Sequence, residues 1–214
     1  EINYGLLCSR KTAAFPRIAI RNADCLLAFS DDSRKETIKN FPKCAKKIST
    51  VYLYIEPRKY PLPPSTLKKA KEDIAVTVGV VRSSTKERKG ILTFVEAAAL
   101  LPEAQFYVVG KHVDKTIDEL KRIATPNVHF LGFLPFPAMR TLLQRAKVYC
   151  QLSAHEGFGF SLAEGMLCGC VPVTTDRGSL PEVAGPSAFT VPYGEPKKAA
   201  WAIRKALADK TGRG

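Results

Sequence analysis

The stretch 153–166, SAHEGFGFSLAEGM, holds the residue types best suited to chemistry. Glu156 and Glu164 stand with seven residues between them, and Gly157 and Gly159 follow the first of the pair. Two glycines this close free the backbone to approach a ligand. From Phe160 and Ser161 onward the pattern is helical, so the first amides of that helix point at the same spot. Unpaired amides and the helix dipole make such a start a site for an anion such as a diphosphate. A carboxylate there repels phosphate, but as an acceptor it binds neutral hydroxyls through charge-assisted hydrogen bonds. The chemistry implied is a ligand carrying both phosphates and hydroxyls. A Gly-rich turn with two surface glutamates would give the same spacing without a ligand.

A second set runs Gly79-Val80-Val81-Arg82, then Lys86, Arg88, Lys89 and Gly90. It falls between an expected strand and helix, where a dinucleotide-binding fold carries G-x-G-x-x-G. That fingerprint is absent and cations take its place. They could neutralise phosphates from the opposite side of a cleft, at about 1.5–3 kcal/mol per charged hydrogen bond. An exposed charged loop is the plain alternative. A third turn, 173–182 (VTTDRGSLPE), is weak when taken alone.

These turns need elements to hold them. Short apolar runs at 74–79, 105–110, 127–131, 148–152, 171–174 and 188–191 read as strands. Between and after them lie helical patterns: 90–101, one capped by Asp114 with Lys121 and Arg122 in its last turn, one with Pro137 in its first turn, 160–168 and 196–208. Strand–helix alternation with short connections gives parallel strands and right-handed crossovers. Strands that are nearly all apolar suit a sheet covered on both faces. The fold class is therefore α/β, a doubly wound parallel sheet, with ligands expected at the carboxyl ends of its strands. Ahead of it, 24–30 and 48–55 read as strands around a helix at 31–40, and 56–64 as a proline-rich linker. Residues 1–60 are read as the tail of a preceding α/β unit plus linker, and 61–214 as the main domain.

The chain has 214 residues, 45% hydrophobic and 25% charged, which is ordinary for a globular protein. No apolar run approaches the roughly 18 residues of a membrane span, and no signal peptide is visible. The net charge of +13 favours nucleotide phosphates, nucleic acid or an acidic membrane surface as partner, or is simply solvated. Six cysteines contain no C-x-x-C pair, which argues against zinc and for small buried side chains in a reducing cytosol.

Taken in order, these segments resemble the group 1, mannosyltransferase-like family of retaining GT-B glycosyltransferases, which includes glycogen synthases. The likeness covers about residues 74–209. It rests on Glu156 and Glu164 with seven residues between, EGFG, the run GCVPV at 169–173, Asp176 through Pro181-Glu182, and NVHFLGF at 127–133. Residues 23–55 resemble the last strand and helix of the family's N-terminal domain. The resemblance implies two Rossmann-like domains with the site between them, the C-terminal one holding a nucleotide-sugar donor. It assigns Arg82 and Lys89 to the diphosphate, Glu164 to the ribose, and Glu156 to the sugar as the catalytic contact. Gly157, Phe158 and Gly159, with the helix start at Phe160 and Ser161, would cradle sugar and phosphate. Gly79 would open the cationic loop, and main chain near Phe133 would face the base. Val80 and Val81 separate Gly79 from Arg82, so Lys86 competes with Lys89, although Gly90 favours Lys89. Leu152 stands where proline is common, and Gly178-Ser179 where Gly-Gly is frequent.

The function so implied is transfer of a hexose from a nucleoside diphosphate sugar, with retention, to a glycan, lipid or small molecule. No metal or other cofactor is expected. A cytoplasmic location follows, with peripheral membrane contact compatible with the charge. Most of the N-terminal domain lies outside this sequence, so the chain alone is expected to bind donor and could transfer nothing. Two alternatives stay open: a non-catalytic nucleotide-sugar-binding module, or half of a split enzyme that needs a partner chain. A nucleic-acid binder lacks its recognition helix or interleaved aromatics here. A glycosidase needs two carboxylates on one glycosidic bond and no anion site between them.

Overall fold

The structure, a computed structural model, describes residues 10–61 and 71–209. The chain divides into two compact units, 1–53 and 54–214.

The first unit holds helix α1 (Arg10–Asn22), strand β1 (Leu26–Ala28), helix α2 (Asp31–Asn40) and strand β2 (Ile48–Thr50). α2 begins where a cap allows it. The Ser30 hydroxyl accepts from the Ser33 amide at 3.0 Å, Asp31 and Asp32 lie in the first turn, and Lys39 in the last. β1 and β2 pair in parallel, Leu26 against Ile48 through Ala28 against Thr50. Both strands are shorter than their apolar runs, because backbone pairs only where a neighbour lies alongside. α1 was not apparent from the sequence.

Among the described residues the second unit carries six strands: β3 (Glu72–Val78), β4 (Gln105–Val109), β5 (Val128–Gly132), β6 (Ala146–Gln151), β7 (Val171–Thr175) and β8 (Phe189–Val191). Among the same residues seven α-helices connect or follow them: α3 (Ser83–Lys86), α4 (Ile91–Ala98), α5 (Thr116–Ile123), α6 (Phe136–Arg145), α7 (Phe160–Leu167), α8 (Leu180–Ala184) and α9 (Pro196–Ala208). All six strands are parallel, in the order β5-β4-β3-β6-β7-β8. The chain steps outward from β3 to β5, returns to lay β6 beside β3, and steps outward the other way. The crevice between the ends of β3 and β6 is thus the topological switch point, where such sheets take ligands.

Side-chain alternation explains why both faces are dry. Ala75, Val148, Cys150 and Val173 join α4 and α9 in one core, through Ile91, Phe94 and Ile203. Ile74, Val76 and Tyr149 join α6, α7 and α8 in the other, through Leu143, Leu162 and Leu180. Neighbouring strand residues point to opposite faces, so one strand feeds both cores. Cys44, Cys150, Cys168 and Cys170 are buried, whereas Cys25 is exposed. α3 and α8 were not apparent in the sequence. Four or five residues are too few to show a helical period.

Candidate functional site

The loop after β3 and the loop after β6 meet at the switch point. Gly90 sits at the crossing with φ of 67°, and a Cβ there would lie 2.0 Å from the Leu152 carbonyl oxygen. Only glycine permits that approach, and it brings the preceding residue, Lys89, over the end of β6. The Ala154 amide donates to the Arg88 carbonyl at 2.8 Å and completes the seam.

Lys89 Nζ lies 2.6 Å from Glu156 Oε1, in a pair whose side chains are only 24% and 13% exposed. The same oxygen accepts from the Ser153 hydroxyl at 2.8 Å and from the Gln151 side-chain amide at 3.0 Å. Among the described residues nothing donates to the other oxygen, Oε2, which remains an acceptor for a ligand hydroxyl. The backbone of Glu156 is held as firmly. Its carbonyl accepts from the Ser179 amide at 3.2 Å and the Ser179 hydroxyl at 3.0 Å. Gly178 packs so near that a Cβ would stand 2.8 Å from that carbonyl oxygen. The loop after β7, weak as a sequence signal, is therefore the seat of Glu156.

α7 starts immediately beyond. Gly159, at φ of 91°, precedes Phe160 and Ser161, whose amides lie in the unpartnered first turn. Gly157 and Phe158 are half-buried in the connecting loop. Glu164 lies farther along α7 and is held by a residue the sequence did not suggest. Tyr60 is 6% exposed, and its hydroxyl donates to Glu164 Oε1 at 2.5 Å. Its ring meets Phe136 edge-on at 5.4 Å. Burial, then the bond to Glu164 and its charge, push the Tyr60 phenol far above its ordinary value, so it stays a donor. The neighbouring carbonyls of Lys59 and Pro61 accept from Arg140 at 3.0 Å and Gln144 at 2.7 Å. A proline-rich stretch gives no local hint of a partner more than a hundred residues away.

The two lysines of the cationic loop part company. Lys86 turns to Glu119 at 2.7 Å, and that hydrogen bond raises its ammonium above the usual value. Lys89 turns into the crevice, with Gly79 under its aliphatic stem. Arg82 is exposed at the N-cap of α3. Phe133 is 74% exposed beyond β5, three strand positions from β6, or about 14 Å at normal strand spacing. Arg82 and Phe133 share the carboxyl end of the sheet with the Lys89–Glu156 pair, and no hydrogen bond or ion pair joins either to it.

Asp114 holds Arg82's turn in place. Its carboxylate accepts from the Ser83 amide at 3.0 Å and the Thr116 amide at 3.0 Å, tying α3 to α5. Hydrogen bonds, from Thr116 first and then Ser83, hold its carboxyl down at about 2 against an ordinary 3.8. The folded form is favoured while Asp114 is ionised, so its contribution is complete above the ordinary value and disappears as pH falls toward 2. In urea titrations at a series of pH values, wild type should exceed Asp114→Ala by a constant margin above about pH 5. The margin should close between about pH 4 and 2. A margin independent of pH would show that the carboxylate charge is not what holds the turn.

A family model described as "Glycosyl transferases group 1" matches residues 72–209. O-antigen chain mannosyltransferase B of Escherichia coli is 28% identical over 183 residues, which is 78% of this chain and 47% of that protein. A phosphatidylinositol N-acetylglucosaminyltransferase subunit of Arabidopsis thaliana is 30% identical over 135 residues, 60% of this chain and 30% of that one. The chain thus spans less than half the length of these curated relatives. Among solved structures, Anabaena HepE in complex with UDP and glucose matches with a TM-score of 0.82 at 22% identity, over 96% of this chain and 59% of that one. WaaG, a glycosyltransferase involved in lipopolysaccharide biosynthesis, matches at 0.74 and 19% identity, over 100% and 63%. At such identities the structural likeness speaks for the fold, the Rossmann-like domain of GT-B proteins.

Proposed function

The chain belongs to the group 1 glycosyl transferases, and from that premise we propose that its second unit binds a nucleoside diphosphate sugar whose hexose is passed to an acceptor with retention. One observation carries the reading. A half-buried Lys89–Glu156 pair stands at the switch point, directly before the Gly-rich start of α7. Lys89, with Arg82 at the rim, supplies positive charge to the diphosphate, and the first amides of α7 supply donors. Glu156 presents Oε2 to a sugar hydroxyl and is the residue proposed to touch the transferred hexose. Glu164 serves the ribose, and main chain near Phe133 the base. Cations and amides do the work a divalent ion would otherwise do, so binding is metal-independent. The named relatives differ in sugar, one a mannosyltransferase, one an N-acetylglucosaminyltransferase, and HepE was seen with UDP and glucose. The acceptor is a glycan, lipid or small molecule. Among the described residues no helix is long and apolar enough to cross a membrane. We place the protein in the cytoplasm, with its basic surface free to touch a membrane.

The test is a thermal-shift panel of UDP-glucose, UDP-N-acetylglucosamine, GDP-mannose and ADP-glucose, run with and without EDTA. A ligand at about 100 times its Kd adds roughly 2.7 kcal/mol. At about 2–4 °C per kcal/mol, the melting temperature should rise by roughly 5–10 °C with the right donor. The shift should survive EDTA. No shift with any donor sinks the reading, and a shift abolished by EDTA contradicts the cationic site.

A second reading also has support. The Arabidopsis relative is by name one component of a transferase, and this chain spans a minority of it. Here the chain holds donor and requires a partner to transfer. Donor binding without turnover of a bound nucleotide sugar, restored by adding a partner chain, would select it.

A further inference from the structure

The last residue of β6 is out of character for its strand. β6 is covered on both faces, yet it ends in Gln151, which is 1% exposed. A buried amide is costly unless its hydrogen bonds are made. Here the bonds are made at both ends. Oε1 accepts from the Tyr149 hydroxyl at 3.1 Å and the Ser161 hydroxyl at 3.1 Å. Nε2 donates to the Ser153 hydroxyl at 2.8 Å and to Glu156 Oε1 at 3.0 Å. This uses two donors and two acceptor sites, the whole capacity of the amide.

The orientation of the amide is therefore determined. The ionised Glu156 carboxylate can only accept, so the amide nitrogen must face it. Burial pushes the Tyr149 phenol far up, so its hydroxyl keeps the proton that it donates to the amide oxygen. A flipped amide would set its oxygen against the Glu156 carboxylate. Ser161 lies in the first turn of α7, so the same side chain touches both the helix start and Glu156.

We infer that Gln151 is a positioning residue, which fixes the Glu156 carboxylate at a set distance from the anion-binding start of α7. It helps saturate Oε1, while Oε2 has no donor among the described residues. In a nucleotide sugar, phosphate and hexose hydroxyls are separated by fixed bonds, so this spacing selects for the sugar-bearing ligand over the bare nucleotide. The inference rests on the proposal that Glu156 touches the sugar.

Calorimetry of the 214-residue chain tests it, with UDP and UDP-glucose, or the corresponding pair for whichever donor wins the panel. The readout is the ratio of the two affinities. Wild type should favour the nucleotide sugar by about tenfold or more, and Glu156→Gln should remove that preference. Gln151→Met, similar in shape but without hydrogen bonds, should cut the preference by about fivefold or more and leave UDP affinity within about threefold. Gln151→Glu puts a second carboxylate against Glu156. It should lose the preference at neutral pH and regain it as pH falls toward about 5, when the pair holds a proton and a donor returns. Lys89 faces this pair from the β3–α4 loop, and Tyr149 from β6, with Glu164 of α7 acting through it. His155, next in the chain, is present in every variant, so wild type at each pH corrects for it.

A retained preference in Gln151→Met, with loss in Glu156→Gln, overturns the positioning role and spares the sugar contact. Equal loss for both ligands, or no recovery of Gln151→Glu in acid, reduces Gln151 to packing and overturns it too. A preference retained in Glu156→Gln removes the sugar contact itself, and the positioning role with it.

Discussion

Lys89→Ala weakens binding of nucleoside diphosphate and nucleotide sugar alike, by about 10- to 100-fold, or 1.4–2.8 kcal/mol at 1.4 kcal/mol per decade. Both ligands carry the phosphates that Lys89 is proposed to meet, so both lose the same charged contact. The loss has a second source in the site itself. Glu156 is 13% exposed and keeps only Ser153 and Gln151 as donors once Lys89 is gone. An uncompensated carboxylate beside the anion site then repels the diphosphate. The comparison with Lys86→Ala is sharp, because Lys86 carries the same charge three residues away but is paired with Glu119. That pair is partly exposed, so its removal should change donor affinity by no more than about twofold. Arg82→Ala should weaken both ligands as well. Calorimetry with one nucleotide and its sugar conjugate decides the matter. A larger loss in Lys86→Ala than in Lys89→Ala would show that the loop delivers the other lysine to the phosphates.

Gly90→Ala costs about 3–5 kcal/mol of stability and destroys donor binding with it. The added Cβ would stand 2.0 Å from the Leu152 carbonyl oxygen, 2.4 Å from its carbonyl carbon and 2.6 Å from its Cβ. These atoms sit on or next to the main chain at the end of a central strand, so they cannot swing aside as the far end of a flexible side chain would. Of this, about 1–2 kcal/mol comes from the left-handed φ of 67°. For a chain of this size the melting temperature should fall by roughly 6–20 °C. Gly132→Ala separates the two causes. Its φ is also 67°, but no atom lies within 4 Å of the added Cβ. It should show only the conformational cost, a fall of about 2–8 °C. Equal losses at the two glycines would mean that the approach of the two loops at the switch point is not tight.

Local pattern and tertiary context divide along a physical line. Apolar runs and helical stripes are properties of neighbouring residues, so the βα alternation from Glu72 onward could be read directly. The helices at Asp31–Asn40 and Pro196–Ala208 could be placed by their own caps, acidic first turns and prolines. The presence of carboxylates, glycines and cations at strand ends is equally local, and so is the class of ligand they suit. Pairing is different. The run 48–55 looks uniformly strand-like, yet only Ile48–Thr50 is a strand, because only there does Leu26–Ala28 lie alongside. Lys86 and Lys89 are alike in sequence, and their separation into Glu119 and Glu156 partners was decided by the path of the loop over Leu152. Gln151 reads in sequence as a polar residue in an apolar strand, and its role appears only when Tyr149, Ser161 and Glu156 converge on it. Tyr60 and Glu164 are 104 residues apart, and Lys89 and Glu156 are 67 apart. No local signal spans such distances. It is the return of the chain, laying β6 beside β3, that sets these groups against one another.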